Sequence, residues 1–277
     1  MFKTKYLLII AIVALCILIM GISLLYKHMF SIIRYIISWQ FEKGAYHSDL
    51  LSANLKYRYF TPKTELDRKY PLILVLHGTG GRGDDNISQI NRLVLFFSNS
   101  NTQKKHPAYI MAPQCPKGTQ WVNTTFESTP YKHYNQDSIP ESTEMKMIIE
   151  LINQFIKEDS IDTSRIYIIG YSMGASGTWD IITRYPSLFA AAIPITGVSD
   201  TNQAKKILDI PIWTFSGEND DIAPAQLNNE MCNAINNLGG NCRYTLFKNV
   251  GHDIVKETLK TKGLLEWLFS QRKFDKN

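Results

Sequence analysis

Residues 167–177, YIIGYSMGASG, pass from an apolar run straight into a serine with a glycine two places to either side: Gly170-Tyr171-Ser172-Met173-Gly174. A serine hydroxyl is a weak nucleophile at neutral pH and needs a base beside it. A sharp strand-to-helix corner would hold such a hydroxyl in the open. Its neighbours must then be small so that backbones can approach, which accounts for Gly170, Gly174 and Ala175. The glycine–serine pattern alone recurs by chance. Its setting, after a buried-type strand and at the opening of a helix, gives it weight.

Histidine is the usual base. Of the six histidines, His252 in NVGHDI is placed best, just after the last strand-like segment. His77, in LHGTGG, ends an early strand and precedes the serine; its expected role is to brace its own loop. His28, His47, His106 and His133 stand away from strand ends and are expected at the surface. The imidazole must be held in one tautomer by an acid. The loop after IPIWTFSG offers Glu218, Asp220 and Asp221, of which Asp220 is the first choice, Asp221 the second and Glu218 the third. A tetrahedral intermediate also needs preset donors for its oxyanion. The amide of Met173 is one, and the amide of Thr79 or Gly80 in HGTGGRGDDN is the expected second. That loop lacks the G-K-[ST] ending of a phosphate loop. Asp84 and Asp85 have no second ligand cluster, and the cysteine spacing gives no zinc pattern. The chemistry therefore requires neither metal nor cofactor.

Distant segments can meet only if the elements between them bring them to one edge. From about Asn54 the chain alternates: strands NLKYRYFTP, YPLILVLHG and AYIMAPQ, then a capped helix STEMKMIIELINQFIKE. There follow the strand RIYIIG, the helix ASGTWDIITRYP, and the strands FAAAIPITG and IPIWTFSG around a helical TNQAKKILD. The helix APAQLNNEMCNAINNLGG, the strand CRYTLFKN and a closing helix KETLKTKGLLEWLFSQ end the chain. Such alternation predicts an α/β fold with a mostly parallel central sheet and helices on both faces. In such sheets sites gather at the carboxyl ends of the strands, where all the residues above fall. Residues 115–140 show no periodicity and are expected to form a long functional loop, one wall of the cleft.

The chain has 277 residues, 44% of them hydrophobic and 20% charged, with a net charge of +5. Its basic residues are scattered among acidic ones, which argues against a nucleic-acid partner. Residues 6–26, YLLIIAIVALCILIMGISLLY, carry no charge and are long enough for a spanning helix. They are expected to be an uncleaved N-terminal transmembrane helix rather than a cleaved signal peptide, with the catalytic body outside the cytoplasm. The expected organisation is an anchor over 1–26, a juxtamembrane linker or amphipathic helix over 27–53, and a catalytic domain over 54–277. The membrane is then an expected partner, with no obligate protein partner. Cys232 and Cys242 flank a Gly-Gly turn and stand within possible bridging range; paired and unpaired readings both remain open.

Taken together, LVLHGTGGRGDDN, IMAPQCPKGTQW, RIYIIGYSMGASGTWDIITRYPSLFAAAIPITG, IWTFSGENDDIAP and NVGHDI resemble the phospholipase/carboxylesterase-like branch of the α/β-hydrolase superfamily. The nearest members in type are predicted peptidases or esterases related to feruloyl and polyhydroxybutyrate esterases. The resemblance covers roughly residues 54–270. It implies an α/β-hydrolase fold and hydrolysis of carboxylic esters, with Ser172 as nucleophile, Asp220 as acid and His252 as base. The family's glycine, acid and proline spacing matches Gly217, Asp220 and Pro224. Two departures stand out: Thr79-Gly80-Gly81 after the HG pair, which leaves the second oxyanion donor open, and Ser216-Gly217 where the family often has His-Gly. A peptidase or amidase on the same triad and a catalytically silent binding protein are the alternative readings.

Overall fold

The protein is described from a computed structural model, over residues 15, 17–25, 29, 32, 34–63, 65, 68–124, 130–158 and 160–273. The chain divides into two compact units, Met1–Phe41 and Glu42–Asn277.

In the smaller unit, the expected membrane anchor requires correction. Among the described residues no helix is long and apolar enough to cross a membrane. Residues 6–14, 16 and 26 of the expected span lie outside the described residues. The expected α/β-hydrolase fold thus has no transmembrane helix among the described residues. The membrane as a partner, and a single-pass anchored placement with an extracytoplasmic body, lose the helix they were built on.

The larger unit is built on one eight-stranded sheet in the order β1-β2-β4-β3-β5-β6-β7-β8. The strands are β1 Glu42–Ser48, β2 Ala53–Phe60, β3 Tyr70–Leu76, β4 Tyr109–Gln114, β5 Ile161–Tyr171, β6 Ala191–Ile195, β7 Ile212–Gly217 and β8 Cys242–Phe247. β2 pairs antiparallel with β1 and β4, and all other pairs are parallel. β1 lies in 27–53, the stretch expected to be a juxtamembrane linker or amphipathic helix. It is a mostly exposed edge strand, with polar residues where a strand signal would be sought.

β3 shows why the sheet must be covered twice. All seven of its residues are buried. Leu72, Leu74 and Leu76 join the core with Met145, Ile148, Leu151 and Ile152, which belong to the helix α3, Thr143–Glu158. Alternate side chains of a strand point to opposite faces, so Ile73 and Val75 face the other layer, where they are equally buried. The helices α1 Arg92–Ser98, α2 Ser100–Lys105, α4 Met173–Arg184, α5 Ala225–Asn237, α6 Val255–Leu259 and α7 Leu264–Ser270 complete the unit. The single closing helix expected from the sequence is broken into α6 and α7. Gly263 takes a left-handed φ of 81° between them. The segment read as a helix at 201–209 is a short 3-10 turn, Thr201–Lys206.

Cys232 of α5 and Cys242 of β8 form a disulfide, with Cα atoms 5.3 Å apart. Asn236 braces the same turn, accepting from the Cys242 amide and donating to its carbonyl, both at 2.8 Å. The bridge closes a loop with a sequence separation of 10. Closing so short a loop is worth about 3 kcal/mol by chain entropy. Cys232→Ser/Cys242→Ser is therefore expected to lower unfolding stability by about that amount, read as a fall in the urea midpoint. An unchanged midpoint would show the bridge to be energetically idle.

Candidate active site

Ser172 stands at the corner between β5 and α4 with φ 57° and ψ −120°. A residue other than glycine held there costs on the order of 1–3 kcal/mol, so its surroundings must enforce it. The Ser172 amide donates to the Ile195 carbonyl at 2.9 Å, and its own carbonyl accepts from Ala175 and Ser176. A Cβ on Gly170 would run into the Gly174 carbonyl and the Thr178 hydroxyl, and one on Gly174 into the Leu76 carbonyl. Both glycines flanking the serine are thus required by close backbone approach.

His252 lies on the loop after β8 and meets the serine. Its Nε2 is 2.8 Å from Ser172 Oγ, and its Nδ1 is 2.8 Å from Asp220 Oδ2 and 3.0 Å from Oδ1. The Asp220 side chain is fully buried and that of His252 is 14% exposed. Asp220 Oδ1 also accepts from the amides of Ile222 and Ala223 at 3.0 and 2.8 Å, which locks the carboxylate on its loop. Glu218, the third choice for the acid, instead accepts from Lys248 at 2.6 Å and from the Asn249 amide. Those bonds hold its carboxyl below the ordinary range. Asp221 is exposed. Of the three acids, only Asp220 is hydrogen-bonded to His252.

Thr79 and Gly80 open a 3-10 turn, Thr79–Gly81, with Gly78 just before it. A Cβ on Gly78 would lie 3.4 Å from Ser172 Cβ. His77 orients this turn. Its Nε2 is 3.0 Å from the Cys115 amide, which can only donate, so the ring proton sits on Nδ1 and is donated to the Gly78 carbonyl at 2.7 Å. In a trans peptide the carbonyl and the following amide point to opposite sides. The Thr79 amide is therefore turned away from His77. Met173 is the first residue of α4, and its amide has no acceptor within the helix. Asp85, considered as a metal ligand, accepts instead from Ile87, Ser88 and Gln114 and anchors the loop.

Burial pushes His77 down to about 4, against an ordinary value near 6.5. The folded protein thus binds this proton less readily than the unfolded chain. The stabilising contribution is fully present above pH 6.5 and is lost as pH falls toward 4. Between pH 7.5 and 5 the loss is about 2 kcal/mol for this group. His77→Gln should flatten the pH dependence of the urea midpoint by that amount; parallel curves for variant and wild type would remove His77 as the cause.

Two features lay beyond the reading of single motifs. Tyr171, between Gly170 and the serine, sets its ring 5.4 Å from the His252 ring and donates from its hydroxyl to the His252 carbonyl at 3.4 Å. The long segment 115–140, of which residues 125–129 lie outside the described residues, reaches both halves of the site. Trp121 donates to the His77 carbonyl at 2.9 Å, and the Tyr131 amide donates to the Ile222 carbonyl on the acid's loop at 2.8 Å. Length and lack of periodicity were its only sequence signals. His133, expected at the surface, is half-buried and bridges the Ser199 carbonyl and Glu230 at 2.6 and 2.8 Å.

The chain matches the Phospholipase/Carboxylesterase family over residues 63–262. A bifunctional acetylxylan esterase/xylanase from Neocallimastix patriciarum is 31% identical over 152 residues, 55% of this chain and 19% of that protein. A probable carboxylesterase from Oryza sativa subsp. japonica is 19% identical over 69% of this chain and 85% of its own length. Among solved structures, a thermostable esterase superposes with a TM-score of 0.79 at 34% identity, covering 86% of this chain and 64% of that one. The chain thus spans about a fifth of the first relative and under two thirds of the thermostable esterase.

Proposed function

Because the chain belongs to the phospholipase/carboxylesterase family, we propose that it is a serine hydrolase that cleaves carboxylic esters through an acyl-enzyme. The observation that carries the reading is the continuous relay from Ser172 Oγ to His252 Nε2 and from His252 Nδ1 to Asp220, both steps at 2.8 Å. As Ser172 Oγ attacks the ester carbonyl, its proton passes to Nε2, and buried Asp220 stabilises the imidazolium. The carbonyl oxygen becomes an oxyanion, which the Met173 amide receives together with that of Thr79, the amide oriented by His77, ahead of Gly80. Collapse of the intermediate breaks the carbon–oxygen bond, and the departing alkoxide takes the proton from Nε2. Water then repeats the sequence on the acyl-enzyme, releasing the acid and restoring the serine.

The test is direct. The full chain should label covalently at Ser172 with a fluorophosphonate probe and hydrolyse p-nitrophenyl esters. The acyl size that gives the highest kcat/KM defines the pocket. Acetate esters of sugar hydroxyls are the first natural class to try, since the Neocallimastix relative is described as an acetylxylan esterase. Failure both to label and to turn over any ester would leave the fold without this chemistry.

A further inference from the structure

A second strained corner lies beside the first. Thr196, directly after β6, has φ 49° and is completely buried. A β-branched residue in the left-handed region is a genuine outlier, and such outliers cluster where the surrounding structure uses them. Gly197 follows it but is not among the positive-φ glycines. The residue suited to the left-handed turn is next door, and the threonine carries the strain instead.

The geometry shows what the turn accomplishes. Tyr171 and Ile195 are partners in the β5–β6 register, so Ser172 and Thr196 leave neighbouring strands side by side. The Ser172 amide is bonded to the Ile195 carbonyl, and the Thr196 amide to the Phe215 carbonyl of β7, the strand that leads to Asp220, each at 2.9 Å. The left-handed turn at Thr196 then folds the chain back onto the first turn of α4. A Cβ on Gly197 would stand 2.6 Å from Ala175 Cβ and 2.8 Å from the Ser176 nitrogen. The Val198 amide donates to Ser176 Oγ at 3.0 Å. Residues 196–198 thereby clasp the helical end of the nucleophile corner while the backbone ties its strand end.

We infer that the Thr196–Gly197–Val198 corner is a positioning device for the nucleophile, with Thr196 as the residue that stiffens it and Ser176 as its anchor on α4. The inference rests on Ser172 being the nucleophile. Threonine has restricted χ1 freedom, whereas glycine would take the same φ with many other conformations open to it. The Thr196 hydroxyl has no hydrogen-bond partner among the described residues, which assigns the stiffening to the branched shape of the side chain.

Thr196→Gly is expected to lower kcat by about ten- to a hundredfold, the scale of a small misplacement of a reacting group. KM should stay within about twofold, and the second-order rate of fluorophosphonate labelling should fall in parallel. Thr196→Val, which keeps the branch, should retain wild-type kcat. Ser176→Ala, a substitution that a helix accommodates, should lower kcat and the labelling rate by about three- to tenfold at constant KM. That arm decides the matter if Thr196→Gly does not fold. Full kcat per folded molecule in Thr196→Gly or in Ser176→Ala overturns the inference, as does a Thr196→Val variant as impaired as the glycine one. A wild type that neither labels nor turns over an ester sinks the hydrolase reading first and this inference with it. A wild type that labels normally isolates the fault to the corner.

Discussion

Ser172→Ala is expected to reduce kcat on p-nitrophenyl acetate by about a millionfold, the scale on which removing a nucleophile acts when the relay works as a unit. The expected loss is that large because the rest of the relay offers no second hydroxyl. The other two members of the relay are an imidazole facing the serine and a buried carboxylate facing the imidazole. Alanine at 172 keeps the corner's backbone bonds, which run through the amide and carbonyl of the residue. The variant should therefore fold with a near-normal urea midpoint and bind substrate while failing to turn it over. Residual activity within about tenfold of wild type would remove Ser172 from the mechanism.

Asp220→Asn should cost about ten-thousandfold in kcat, for a reason legible in the hydrogen bonds. Asp220 Oδ1 accepts from two backbone amides, those of Ile222 and Ala223. In asparagine the remaining oxygen must stay on that side, because an NH2 group there would face two donors. The NH2 group then takes the place of Oδ2, the oxygen nearer to His252 Nδ1 at 2.8 Å. A ring nitrogen facing a donor must accept, so the ring proton moves to Nε2, where it points at Ser172 Oγ. That tautomer cannot take the serine's proton. Glu218→Gln and Asp221→Asn, at residues not bonded to the imidazole, should each stay within about twofold of wild type. A kcat for Asp220→Asn within about tenfold of wild type would contradict the tautomer argument.

The larger unit was legible because its rules are local. Wholly apolar β3 reads as a strand buried on both faces, and the serine corner reads from two glycines that only close backbone approach requires. The elements that escaped notice are those with weak local signals. β1 is an edge strand whose pairing with β2 includes Gly44 opposite Tyr57. A Cβ at Gly44 would occupy the place of the Tyr57 ring, a long-range fit that one segment cannot announce. α1 is a short apolar run whose start depends on Asn91 accepting from the Leu93 and Val94 amides. The apolar run at 6–26 misled for the opposite reason. Hydropathy measures preference for an apolar medium, but a span also needs a continuous helix of sufficient length, and the described residues contain none.

By itself the order of residues determined the alternation of strands and helices, the serine corner and the short choice of bases and acids, since each rests on spacing within a few residues. Tertiary structure decided which acid faces the imidazole, that the buried His77 ties the Gly78 carbonyl to the Cys115 amide, and that Thr196 bends back to clasp α4. The physical reason is the same throughout. Hydrogen bonds and close contacts between segments far apart in the chain depend on angstrom-scale placement, and that placement exists only once the sheet has brought its strand ends together.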